Sequence, residues 1–587
     1  MNKASELPRI DNCPIIIDTE TTGLNKMVDK PFLILISVLG KSYALRPENA
    51  LPWLINNMPK AEYNVFHNAK YDIHMLLNFG LPWDVVANSR IWCTMVNETL
   101  IDDHRASYSL NSLCKTRFNV SKSDKELLEW LAKECGGKPD RKHQMKNIVK
   151  APLEMVAKYG IGDVEMTEML YKAQKKEVLE QDLGRVSGLE EKVLKVLIKL
   201  ERRGVPINMK KVDDTMVEFV EHQRIVAEQI KTVIGQSVNV RSGKQLEKAF
   251  RSIGKDIKYN NETGNPVFDK ETLEADGGEL AGLILSERSY GTMINTFLAK
   301  FGEHVWTDGR IRCDFNQTKT DDYGVITGRL SASSPNLMQI PKRDKGKAAM
   351  VRSVFEAPGD AQWISADWKQ FEFRVFAHYS RDENLISEFH NNPEADYHQL
   401  IADLTGLKRD PYAKQLNLGL VFGMGQGLMA KKCGLPYTVK EENGRQYLMA
   451  GNEAKKIFGT YHKKLPGVRS MLSMAEKVGA SRGYIKTMMG RRIRFINKNF
   501  AYKAGGYVFQ GTSADFMKMK LVELENYFGD GDTQLILPVH DEFDMISGGG
   551  TEKAVSDTRE ILQNIPQLRV PIRCDIGVAK DWWLASK

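Results

Sequence analysis

The chain has 587 residues, 42% of them hydrophobic and 27% charged, too many for one core and expected to divide into roughly two to four domains. That composition excludes a disordered or fibrous protein, and the formal net charge of +8 suits a polyanionic partner without requiring one. The seven cysteines, Cys13, Cys93, Cys114, Cys135, Cys313, Cys433 and Cys574, stand singly with no CxxC pair, which excludes a zinc knuckle or disulfide framework and points to a reducing compartment.

The opening MNKASELPRI lacks the apolar stretch of a secretory leader. PFLILISVL at 31–39 is far too short to span a bilayer and reads as a buried strand. CPIIIDTETTG and YNVFHN are further strand patterns, while YDIHMLLNF and APLEMVAKYGIGDVEMTEMLYKAQKKEVLEQ are helical. That mixture predicts an α/β sheet domain over the first ~180 residues. Asp18 and Glu20 stand at i and i+2 where the first strand ends, on one face and about 7 Å apart. Two carboxylates so placed repel, and one takes a proton unless a cation lies between them. Asp72 comes four residues after Asn68, and Tyr159 and Asp163 lie one turn apart on a helix face. Singly, each has a plain structural use as a turn cap, a helix N-cap or an interfacial aromatic.

From 182 to 300 the pattern is long, charged and helical, with LEEKVLKVLIKLERRG stopped by Gly204 and Pro206. Strand and loop character returns at 310–380, 386–525 is mostly helical, and 533–547 reads as a hairpin-like strand pair before a short tail. There is no internal repeat. WISADWKQFEFRVFAHYS ends a strand at Asp367 and continues with Gln370, Glu372 and Arg374 at strand-like alternation. KRDPYAKQLNLGLVFGMGQG carries a helix start, with Asp410 as cap, Pro411 in the first turn and Lys414 on the first exposed turn. Gly419, Gly423, Gly425 and Gly427 then thin one helix face so that something flat can approach, at roughly 0.5–1 kcal/mol each. In LPVHDEFDMI, residues 537–546, His540, Asp541 and Glu542 interrupt an apolar strand. Buried charge must be paired, and strand neighbours point to opposite faces. Asp541 and Glu542 therefore cannot both face the core.

Asp18 with Glu20, Asp72, and Tyr159 with Asp163 resemble, in this order, the three motifs of the DEDD 3′–5′ exonucleases in their tyrosine variant, over roughly residues 10–175. TGRLSxxxPNLxxIP, DxxxFExR, KxxNxGxxFG, QGTxAD and VHDE, over about 185–587, resemble the family A DNA polymerases, the group of bacterial DNA polymerase I and its phage relatives. The resemblance implies an α/β multidomain protein, with a ribonuclease H-like exonuclease domain at 1–180 and a right-hand polymerase at 181–587. Within the latter it implies a thumb about 185–305, a palm about 306–385 and 526–587, and fingers about 386–525. The chain has no room for the 5′-nuclease domain of the bacterial enzymes, so a phage-type replicative polymerase in the host cytoplasm is expected.

The implied activity is DNA-templated DNA synthesis with 3′–5′ proofreading. Catalysis and metal binding fall to Asp367 and Asp541 in one site and to Asp18, Glu20, Asp72 and Asp163 in the other, where Tyr159 orients the attacking water. Mg²⁺ or Mn²⁺, two ions per site, would serve the reacting oxygens. Lys414 and His398 would meet the triphosphate, and Arg409 would replace the family's arginine, since Asp410 occupies that position. Arg409 would then lie about 100° away around the helix. Gln370, Leu418 and Phe422 complete the nucleotide side, and Glu372 resembles the steric gate that selects deoxynucleotides. Arg329, Gln510, His540, Arg491 and Lys503 would contact DNA, and the basic runs 239–255 and 490–500 would track duplex phosphates. Leu418 stands where the family carries an aromatic beside the incoming sugar, so altered handling of chain terminators is expected. Tyr502, Lys503 and Gly506 occupy the stretch where an arginine and an asparagine are usual. Implied partners are primer–template DNA, dNTPs and phage replisome proteins such as a helicase-primase and a single-strand binding protein. No membrane is expected, and no thioredoxin clamp, because 204–327 leaves little space for a clamp-binding loop. Two alternatives remain, a single-subunit RNA polymerase and an inactive DNA-binding factor. Glu372 and the exonuclease disfavour the first, and the full set of acids the second.

Overall fold

The computed structural model describes residues 2, 4–260, 263–318, 326–342, 346–421, 423–442 and 445–587. Alternation along the first strand sends Ile15 and Ile17 to one face of a sheet and Ile16 to the other. This sheet contains β1 (Ile15–Thr21), β2 (Pro31–Val38), β3 (Lys41–Leu45), β4 (Asn64–Phe66) and β5 (Ile91–Cys93) in the order β3-β2-β1-β4-β5. β1 is antiparallel to β2 and parallel to β4, and β4 is parallel to β5, the ribonuclease H-like arrangement. On one face lies α1 (Ala69–Phe79), whose Ile73 and Leu76 join Ile15, Ile17 and Ile34. On the other lies α2 (Leu153–Glu180), whose Val156, Tyr159 and Val164 join Ile16, Leu33 and Leu35. Gly160 permits this close seating, since a Cβ there would lie 2.7 Å from the Leu35 side chain.

α3 (Gly184–Arg203) follows directly. Its helical period puts Leu194 and Ile198 into the first sheet's core and Val193, Val196, Leu197 and Leu200 into the core of the second half. The stretch expected to open the thumb thus begins with a helix shared by two cores. Helices Met209–Ile234 and Glu279–Thr292 pack together over a small separate core that includes Ile230, Leu246, Phe250 and Ile284.

The remainder includes, in chain order, β6 (Gln362–Trp368), α4 (Phe371–Ser380), α5 (Tyr397–Thr405), α6 (Lys414–Val421) and α7 (Gln426–Lys432), then the hairpin of β7 (Tyr437–Glu442) and β8 (Arg445–Ala450). α8 (Pro466–Arg482), the short hairpin of β9 (Tyr484–Lys486) and β10 (Arg492–Arg494), and α9 (Ala504–Phe528) come next, before β11 (Thr533–Val539), β12 (Glu542–Ser547) and β13 (Cys574–Ala579). The palm sheet has the order β11-β12-β6-β13 with every pair antiparallel.

Several local expectations are corrected here. Gln370 turns the chain at φ 48°, so Glu372 and Arg374 lie on a helix and do not alternate on a strand. Arg374 is buried, its guanidinium donating to the carbonyls of Lys369, Pro571 and Pro393. Asp410 caps nothing: its backbone is extended at ψ 131° and its carboxylate pairs with Arg409. The glycines divide one helix into two, with α6 ending at Val421, Gly423 at φ 69° and Gly425 preceding α7. Gly427 lets α7 press on β8, because a Cβ there would lie 1.8 Å from the Leu448 carbonyl oxygen. Two hairpins, β7–β8 and β9–β10, occupy part of the stretch expected to be mostly helical.

Candidate active sites

Alternation along β1 continues from Ile16 to Asp18 and Glu20, on the face that α2 covers, and α2 brings Tyr159 and Asp163 over them one turn apart. Asp18, Glu20 and Asp163 each bring a carboxylate oxygen within 4.8 Å of the others. Asp72, in the first turn of α1, accepts a hydrogen bond from Thr19 Oγ1 at 2.7 Å. Burial, then Asp72, Asp163 and Glu20, push the Asp18 carboxyl well above the usual carboxylate range. Burial and then Asp163 push Glu20 up to about 8, and burial above all raises Asp72 to about 7. Oxygen donors packed until they repel one another fit hard divalent cations.

Two cations absent from the sequence reading complete this centre. The Lys122 ammonium pairs with Asp163 and lies 3.2 Å from the Tyr159 hydroxyl. Arg141 donates to the same hydroxyl oxygen at 2.9 Å and to Asp124 at 2.8 Å. Burial first, then Asp163 and Glu20, raise the Tyr159 phenol above its ordinary value, so it keeps its proton. Lys122 and Arg141 come from a polar, lysine-rich stretch outside every motif read in the sequence, and only the fold brings them to α2.

At the second centre the turn falls at His540 and Asp541, between β11 and β12, with His540 at φ 58°. Asp367 lies opposite Glu542 in the β6–β12 register, and the Trp368 amide donates to the Asp541 carbonyl at 3.2 Å. Burial and then Asp367 push the Asp541 carboxyl up to about 6, and burial raises Asp367 despite the nearby Lys342 ammonium. Both aspartates line a cleft of about 860 Å³. Glu542 turns inward: Trp582 Nε1–H donates to it at 2.7 Å, and Arg352 lies 3.3 Å away. Lys342, unanticipated, spans the two centres of charge, 2.8 Å from Asp367 and 2.7 Å from Glu542. The two acids of the hairpin are thus inequivalent, with Asp541 toward the cleft and Glu542 at its edge.

The residues assigned to nucleotide and DNA are dispersed differently from expectation. Lys414 opens α6, and its ammonium has no hydrogen bond or ion pair among the described residues. Gln370 donates to Asp396 at 2.7 Å and accepts from the Tyr397 amide at 2.9 Å, tying the end of β6 to the start of α5. Arg409 pairs with Asp396 and Asp410. His398 is buried, its Nδ1 bonded to Asn417 at 2.9 Å, and burial pushes it down to about 4. It is therefore a neutral, internal group near neutral pH, not a cation for a triphosphate. Glu372 is ion-paired with Arg329. Leu418 is half-buried against the core, and Phe422 lies outside the described residues. Arg329, His540 and Asp541 share a small cavity with Ser513 and Met517 of α9, the helix that also carries Gln510. Lys503 stacks 4.9 Å over the Phe500 ring. Arg491 is corrected: it is buried against Glu190 and Asp515, so it faces no DNA. Arg494 is held at 3.0 Å by Asp103 of the nuclease half, so two of the cations of the 490–500 run serve the protein's own packing.

Two carboxylate centres on separate sheets, one in a ribonuclease H-like fold and one at the base of a palm, define a template-directed nucleic-acid polymerase with its own excision nuclease. A family model described as DNA polymerase family A matches residues 209–583, and one described as 3′–5′ exonuclease matches 2–179; the chain belongs to DNA polymerase family A. It is a DNA-directed DNA polymerase with a proofreading 3′–5′ exonuclease. It is 36% identical to DNA polymerase DpoZ of Salmonella phage PMBT28, over 99% of this chain and 98% of that relative. DpoZ of Acinetobacter phage SH-Ab 15497 is 35% identical over 99% of each chain. DNA polymerase I of Pseudomonas aeruginosa is 26% identical over 97% of this chain and 63% of its own length. The solved POL domain of Pol1 from M. smegmatis, a complex with DNA primer-template and dNTP, shares the fold at a TM-score of 0.81, with 22% identity over 98% of this chain and 97% of that one. All seven cysteines are free, and no helix among the described residues is long and apolar enough to cross a membrane.

Proposed function

We propose that Asp367 and Asp541 hold the divalent ions of nucleotidyl transfer, and that Asp18, Glu20, Asp72 and Asp163 hold those of excision, two Mg²⁺ or Mn²⁺ at each centre. When bound, such ions stabilise the attacking and leaving oxygens of an in-line displacement. The chain's own residues do the positioning. Tyr159, kept protonated, donates to the attacking water. Lys414, with no partner among the described residues, meets the phosphates of the incoming dNTP, and Glu372 crowds its 2′ position. Gln370 and Arg409 act through Asp396 to hold α5 in place. Arg329, Gln510 and His540 meet the primer end, Lys503 the template side, and the exposed Lys244 and Lys248 the duplex phosphates. The finer division into thumb, palm and fingers at the boundaries given above, and phage replisome proteins as partners, belong to the same reading.

One observation carries it: each set of acids is assembled within its own sheet, by its own strands and helices. Primer extension with Mg²⁺ tests it directly. Asp367→Ala is expected to abolish synthesis and keep degradation, and Asp18→Ala to do the reverse. Loss of both activities in either single variant would overturn the assignment of two independent centres.

A further inference from the structure

Between α4, α8, β9 and the chain near Arg569 lies a second large cavity, about 510 Å³, apart from both carboxylate centres. Its floor is apolar, with Met471, Met474 and Val478 of α8 contributing, and Met474 is 66% exposed. Methionine floors of this kind adapt to irregular apolar side chains. Its rim carries Arg381, Arg482 and Arg569, all exposed, and none of the three pairs with a carboxylate among the described residues. Lys486 adds a fourth cation, bound only to the exposed Asp182 at 2.6 Å. No aspartate or glutamate lines the cavity. Burial first, and then the guanidiniums of Arg569 and Arg381, depress His378, which accepts from the Arg569 amide at 3.2 Å. Positive charge is thus concentrated at the rim of an apolar hollow, and among the described residues only Lys486 of the four cations has a carboxylate partner. An exposed methionine at the mouth of such a hollow, ringed by arginines without carboxylate partners among the described residues, is a surface complementary to apolar and acidic groups together.

We propose that this cavity is a docking site for an acidic peptide segment of a partner protein, one carrying bulky apolar side chains next to aspartates or glutamates. The apolar side chains fill the methionine-lined floor, and the carboxylates meet the arginine rim as bidentate pairs. Single-stranded DNA fits less well. The two aromatic rings at the site pack edge-on against each other, Tyr379 on His378, and the Tyr379 hydroxyl is bonded to Thr512 at 2.8 Å, whereas strand binding relies on open aromatic faces for stacking.

The test uses the full chain and a fluorescein-labelled synthetic peptide, Asp-Asp-Asp-Asp-Gly-Leu-Phe-Phe, followed by fluorescence anisotropy. Saturable binding is expected, weakened at least about tenfold by Asn for every Asp or by Ser for the three apolar residues. Arg381→Glu with Arg569→Glu, and separately Met474→Asp, are expected to weaken it by a similar factor, with primer extension unchanged. Met474 and both arginines are exposed, so the variants should fold, and their unchanged extension rate checks that. Absence of binding to the parent protein, or equal binding to the variants, overturns the proposal. Displacement of the peptide by an oligo(dT) whose own binding falls in the same variants also overturns it, and makes the surface a nucleic-acid face.

Discussion

Arg329, which shares a small cavity with His540 and Asp541, is ion-paired with Glu372, although one is assigned to the primer end and the other to the sugar of the incoming nucleotide. Their side chains are 37% and 20% exposed, so water screens the attraction and the pair adds little to stability. Under the role proposed for Glu372 its effect is positional, the guanidinium holding the carboxylate where it would crowd a 2′-hydroxyl. Glu372→Ala is expected to raise ribonucleotide incorporation at least about tenfold, and Arg329→Ala to reproduce part of that gain. A double-mutant cycle on the dNTP-to-rNTP ratio measures the link. Strictly additive effects would mean that the two residues act independently.

Lys122 pairs with one of the excision acids and contacts Tyr159. Lys122→Ala is expected to slow degradation of a single-stranded primer about 10–100-fold, the usual cost of losing a group that orients a ligand. Extension should be unaffected, and Lys122→Arg should recover part of the loss. Mn²⁺ binding, followed by electron paramagnetic resonance, is expected not to weaken in Lys122→Ala. A weakened Mn²⁺ titration would show that the carboxylate set itself had collapsed.

Leu418 lies half-buried on α6, one turn beyond Lys414. An aliphatic side chain there offers no ring to pack beside the sugar of a bound nucleotide. Leu418→Tyr is expected to increase incorporation of 3′-deoxy terminators relative to ordinary dNTPs, read from termination ladders. Unchanged ladders would remove Leu418 from the nucleotide side.

Glu190 of α3 is buried, with Lys518 at 2.6 Å and Gln317 at 2.7 Å and with Arg491 paired to it. Burial opposes its ionisation, but Lys518 and Arg491 outweigh it and hold the carboxyl at about 2, against an ordinary 4.5. A carboxyl depressed on folding contributes stability that is complete above its unfolded value and is lost as pH falls toward its folded one. Glu190→Gln is therefore expected to destabilise the protein by roughly 3 kcal/mol at neutral pH. The gap from the parent should narrow as pH drops from about 4.5 toward 2. Chemical denaturation across that range checks it, and a gap independent of pH would assign the loss to packing alone.

What could be read along the chain was what local period determines. Asp18 and Glu20 share a face because strands alternate, and Tyr159 and Asp163 share one because helices repeat every 3.6 residues. Lys122, Lys342 and Arg352 were not legible, because a long flexible side chain reaches its partner through the fold and leaves no local trace. Arg491 was misread for a related reason. Its run of cations looks solvated until Glu190, distant in sequence, is brought beside it. The bend at Gln370 escaped notice because a positive φ outside glycine carries little sequence signal.

α3 gives Leu194 and Ile198 to one core and Val193, Val196, Leu197 and Leu200 to the other. Its Glu201 binds His74 at 2.8 Å from the nuclease side and accepts from the Phe315 amide at 2.8 Å from the polymerase side. A chain cut before α3 would expose its nuclease-facing stripe to water, and one cut after it would take a wall from the palm. The nuclease half is therefore not packed as a removable module: exchanging one of its acids leaves the shared core intact, whereas deleting the half uncovers α3.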